Sequence, residues 1–92
     1  MSHDLIAKLS DREIQSLQNS YIKIIDEAIK NNPMIKKMIY NDLCNFLQPL
    51  MIQQMAIDLE VEEWDIETLF AIKILKDSET NNISLSIKRN LN

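Results

Sequence analysis

The chain has 92 residues with a formal net charge of −4, 46% of them hydrophobic, and it contains one cysteine, one histidine and no glycine. Without glycine no Walker loop, dinucleotide fingerprint or hydrolase nucleophile elbow can be built. One Cys and one His cannot supply the four ligands of a structural zinc site or close a disulfide within the chain. The length suits one domain, residues 1–92, and the lone thiol suits a reducing, cytoplasmic setting without a cofactor.

Residues 1–8 lack the positive region and long apolar stretch of a secretory leader. Ser10-Asp11-Arg12-Glu13 is a capping box, with Leu9 and Ile14 at the positions of a hydrophobic staple. Behind it Ile14, Leu17, Tyr21, Ile24, Ile25, Ala28 and Ile29 recur at helical spacing. Asn31-Asn32-Pro33 should end this helix, because the residue before proline resists the helical region and Asn tolerates positive φ. Pro33 suits the first turn of a second helix with Asn32 as its cap. Met34, Ile35, Met38, Ile39, Leu43, Phe46 and Leu47 give that helix an apolar face, and Pro49 should kink it or start a new one.

Residues 50–76 contain no Gly, Pro, Asn or Ser, which favours helix through about Lys76, either as one long helix or as two split near Val61 with Asp65 capping the second. Yet Phe70, Ile72 and Ile74 alternate with Ala71, Lys73 and Leu75, and Ile83, Leu85 and Ile87 alternate with Ser84, Ser86 and Lys88. Such period-2 runs can pair as a hairpin, although two strands alone are marginal in water. The expected fold class is mainly α, a small bundle of three to four helices with an extended C-terminal segment. The alternative is α+β, with a C-terminal β-hairpin at about 69–88.

Candidate sites follow from charge and apolar surplus. Residues 58–67 hold Asp58, Glu60, Glu62, Glu63, Asp65 and Glu67 and no basic residue. A calcium loop is excluded, because Glu63 stands where the turn needs glycine and Leu69 where a bidentate Glu is needed. The run is otherwise a solvated acidic face or a docking surface for a basic partner. On a helix Asp58 and Glu62, and Glu63 and Glu67, would repel at four-residue spacing. Trp64 inside the run suits a core or edge anchor first, and an interface hot spot second. Met34, Met38, Met51 and Met55 cluster in the nearly uncharged middle, as core filler or as an adaptable apolar surface. Ile39, Tyr40, Leu43, Leu50, Met51, Ile52 and Ile57 do not share one helix face, so a partner helix or a second copy could bury the remainder. Cys44 and His3 lack an orienting third group, which leaves a buried inert thiol as the simpler account.

The expected function is therefore a non-enzymatic regulatory or adaptor protein acting through protein–protein contact. Its partner-binding residues would be Met38, Met51, Met55, Glu60, Glu62, Glu63, Trp64 and Glu67. A basic protein partner and a homodimer are expected, with no membrane, no metal and no cofactor. The alternative is a dimeric nucleic-acid-binding transcriptional regulator. Against it, a recognition helix opening with Asp65 and Glu67 would repel phosphates, which leaves only a wing using Lys88 and Arg89.

Overall fold

The computed structural model describes residues 9–90. Helix α1 spans Asp11–Asn31 and starts at the expected box: Ser10 Oγ accepts from the Glu13 N–H at 3.1 Å, and Glu13 Oε1 accepts from the Ser10 N–H at 3.1 Å. The apolar recurrence turns Ile14, Tyr21, Ile25 and Ile29 into the core. Asn32 closes the helix at φ −143°, an extended angle and not the positive φ expected of it. Its N–H donates to the Ala28 carbonyl at 2.9 Å.

Pro33 does open a helical turn, but a short 3-10 one, Pro33–Lys37, anchored by buried Ile35. Met38 and Ile39 then run extended, so the expected second helix begins only at Tyr40. Helix α2, Tyr40–Leu59, passes through Pro49 without a break. Pro49 and Asn45, the residue four back whose carbonyl loses its donor, are both exposed, so water can take the orphaned oxygen.

Helix α2 ends with Glu60 in the left-handed region at φ 57°. Val61 N–H donates to the Ala56 carbonyl at 2.9 Å and Glu60 N–H to the Ile57 carbonyl at 3.2 Å, which is a Schellman closure built without glycine. Helix α3, Glu63–Leu69, follows at once. Its cap is Glu62, whose N–H donates to Asp65 Oδ2 at 3.2 Å, so Asp65 closes the first turn from inside instead of capping it.

Helix does not continue to Lys76. Strands β1, Phe70–Lys76, and β2, Ile83–Arg89, form an antiparallel hairpin, the α+β alternative. The register pairs Ile72 with Ile87 and Ile74 with Leu85 on the inner face, and Ala71 with Lys88 and Lys73 with Ser86 on the outer. The turn is tied by Asp77, whose Oδ1 accepts from the Glu79 N–H at 2.8 Å, and Asn81 supplies the positive φ of 61°.

The helices remove the objection that a lone hairpin is marginal. Helix α1 packs along β2 and α2 along β1. Gln18 Oε1 accepts from the Ile87 N–H at 2.9 Å on one edge. On the other, Tyr40 Oη donates to the Ile74 carbonyl at 2.6 Å and Gln48 Nε2 to the Ile72 carbonyl at 2.9 Å. Leu43, Leu47, Met51, Met55, Ile66, Phe70, Ile74 and Leu85 meet in one contiguous core.

Candidate functional site

The inner faces of α1 and α2 are spent on the hairpin, but the two helices also diverge on their solvent side. A groove of about 360 Å³ opens between them. Its floor is Ile25, Leu47 and Met51, all buried. Its lips are Ile24 of α1 and Phe46, Leu50 and Ile57 of α2, exposed at 43%, 44%, 43% and 63%. Phe46, Leu50 and Ile57 stand at i, i+4 and i+11, which on a helix is one continuous stripe. That stripe is rotated from the one carrying Leu47, Met51 and Met55. Helix α2 is thus apolar on two adjoining faces, and the described residues cover only one of them.

At the C-terminal end of α2 the groove runs into a second depression of about 370 Å³ that shares Gln53 and Ile57 with it and adds Val61, Glu62 and Glu63. A polar clamp lies beside this end. Tyr21 Oη donates to Asp58 Oδ2 at 2.7 Å, and Gln54 Nε2 donates to Asp58 Oδ1 at 2.9 Å, which ties α1 to α2. Burial, then the hydrogen bond and charge of Asp58, push the Tyr21 phenol well above its ordinary value of 10.0.

The acidic run divides by role. Asp58 serves the clamp. Asp65 is 5% exposed and serves the α3 cap. Glu62 is exposed and accepts from Trp64 Nε1 at 2.7 Å. Glu60, Glu63 and Glu67 are exposed, and among the described residues their carboxylates make no hydrogen bond or ion pair. Glu63 and Glu67 do share α3 at repulsive spacing, whereas Asp58 lies in α2 and Glu62 is the extended residue that caps α3.

The other expected site residues are partly redistributed. Met51 and Met55 are 3% and 0% exposed, so they fill the core and offer no contact surface, because they lie on the covered stripe of α2. Met38 is half-buried, and its carbonyl accepts from Lys76 Nζ at 3.0 Å. Trp64 is 56% exposed, so it is no core anchor, and Ile66 fills the core from α3 instead. Ile24, Phe46, Leu50 and Ile57 were missed as lips. Their signal was present in the surplus of apolar residues on α2, but the covered stripe cannot be told from the open one before the hairpin is placed.

Among the described residues no three His, Cys, Asp or Glu side chains are placed to hold a metal ion. Cys44 is half-buried one turn after Tyr40, and its thiol, ahead of burial, raises the Tyr40 phenol above its ordinary value. His3 lies outside the described residues. Among the described residues no helix is long and apolar enough to cross a membrane. No family model, no curated protein and no solved structure matches the chain.

Proposed function

We propose that this chain is a non-enzymatic regulatory or adaptor module that works by docking a protein partner in the groove between α1 and α2. The observation that carries this reading is the convergence of Ile24, Phe46, Leu50 and Ile57 on one open groove. Single exposed apolar residues are ordinary, whereas a contiguous apolar concavity with polar margins is the signature of a contact surface. The exposed carboxylates of Glu60, Glu62 and Glu63 at one end would speed association with a basic partner and select against an acidic one. A second copy of the chain is the competing occupant, which would make the protein a homodimer. A reducing cytoplasm suits a chain with a single thiol.

The test is affinity capture with the wild-type chain, with Leu50→Glu and Ile57→Glu, and with Leu75→Glu as an exposed control on the outer hairpin face. The reading expects proteins retained by wild type and by Leu75→Glu to be lost from both groove variants. An identical retained set for all four would sink it.

Nucleic-acid binding is the second reading. Its support is the outer face of the hairpin, where Lys73 and Lys88 belong to successive outward-facing pairs, with the inner pair Ile72 and Ile87 between them in the ladder. Against it, α3 presents Glu63 and Glu67 where a recognition helix would need to meet phosphate. Duplex binding at low salt that is lost in Lys73→Glu with Lys88→Glu would promote this reading, and no binding at low salt would end it.

A further inference from the structure

We propose that the occupant of the groove is a cationic amphipathic α-helix of a partner protein, about three turns long, with its basic residues gathered over the C-terminal end of α2. The inference rests on the groove reading above and adds the shape, charge and direction of what binds. Three observations carry it.

The first is the nature of the walls. Both are α-helices, whose backbone groups along the groove are bonded within themselves apart from the Asn45 carbonyl that Pro49 leaves without a donor. A strand or an irregular peptide entering an apolar groove would bury N–H and C=O groups that the walls cannot satisfy. A helix brings its backbone hydrogen bonds with it, and needs only apolar side chains at three-and-four spacing to fill the lips. The second is length. Phe46 and Ile57 are eleven residues apart on α2, about 16 Å at the helical rise, which matches roughly three turns of a partner helix.

The third is charge. Glu62 and Glu63 line the depression that continues the groove, Glu60 caps α2 in the left-handed region, and the last carbonyls of α2 add the negative end of its dipole. Among the described residues no lysine or arginine lines either depression. A second copy of this chain docked groove to groove would bring the same lining, and hence no cation for this end. A partner with Lys or Arg at one end of its apolar stripe would supply what the site lacks.

The experiment is a titration of the full isotope-labelled chain with two synthetic helical peptides of about 18 residues. Both carry a leucine stripe, and one has lysines at one end where the other has glutamates. The readouts are the methyl signals of Ile24, Leu50 and Ile57 and the fluorescence of Trp64. The lysine peptide is expected to shift the groove methyls and to bind at least about tenfold more tightly than the glutamate peptide. Its affinity should fall about tenfold when salt is raised well above physiological strength. Glu62→Lys with Glu63→Lys should remove most of that preference, and both Leu50→Glu and Ile57→Glu should abolish the methyl shifts.

Equal binding of the two peptides at the groove methyls, or binding unchanged in the charge-reversed variant, overturns the cationic occupant while leaving the groove as a docking site. Self-association of the chain that Leu50→Glu and Ile57→Glu both abolish, with neither peptide bound, assigns the groove to a second copy and also overturns it. Absence of peptide binding and of self-association removes the groove reading and the inference together.

Discussion

Tyr21 is 1% exposed, and its hydroxyl is the polar link between α1 and α2 through the Asp58 carboxylate. A hydrogen bond to a charged acceptor contributes more than a neutral one, so Tyr21→Phe should cost about 1–3 kcal/mol in urea unfolding. The same variant carries a pH signature. A phenol whose folded pKa lies above its unfolded value of 10.0 holds its proton more tightly in the native state. Its contribution is complete below about pH 10 and declines as pH rises above that, because the unfolded chain then binds fewer protons. Wild type should therefore lose stability more steeply than Tyr21→Phe above about pH 10, and equal slopes would refute the assignment. Glu60 offers a prediction of opposite sign. A residue with a β-carbon in the left-handed region is held there at a cost of about 1 kcal/mol, relieved by glycine. Glu60→Gly should raise stability by up to about 1 kcal/mol by denaturant titration, and any loss would mean the Glu60 side chain contributes more than its strain removes.

The hairpin divides its residues by parity, and parity can be tested directly. Ile74 is 0% exposed on the inner face, whereas its neighbour Leu75 is 46% exposed on the outer. Ile74→Ala should cost about 2–5 kcal/mol and Leu75→Ala within about 0.5 kcal/mol, although both remove apolar side chains of similar size. Comparable losses would contradict the register. The alternation of residues 70–75 and 83–88 was legible in the sequence, as were the α1 capping box and the apolar stripe behind it. The choice between helix and strand was not, because it depends on α1 and α2 covering both hairpin edges, through Gln18 on one side and Tyr40 and Gln48 on the other. No window of local sequence holds that information. The end of α2 was legible as the split near Val61, although without glycine the reversal itself falls to Glu60, a residue that carries no turn signal. The site was half legible. The surplus of apolar residues on α2 was visible, as was the acidic end. Which methionines are covered, and that Trp64 is exposed, follow from rotations of about 100° per residue about axes that only the packed structure defines.

At the scale of the molecule, no part has a core of its own. A two-stranded hairpin is marginal alone, α3 has seven residues, and α1 and α2 leave their shared solvent face open. What each element lacks, the others supply, since the inner hairpin face closes the covered sides of both long helices in one cluster. Such mutual dependence should give a single cooperative transition. Trp64 on α3 and the far-ultraviolet helix signal report different regions, and their thermal midpoints are expected to coincide. Ile74→Ala, placed in the hairpin, should lower both by the same amount, more than about 8 °C for a chain of this length. Leu50→Glu, placed on the open lip of the groove, should leave both within a few degrees of wild type, because its side chain is already 43% exposed. A fluorescence transition separated from the helix transition would show that α3 and the acidic end move independently of the body. The charge at the groove would then be presented by a separately mobile segment, and the direction proposed for a docked helix would lose its fixed reference.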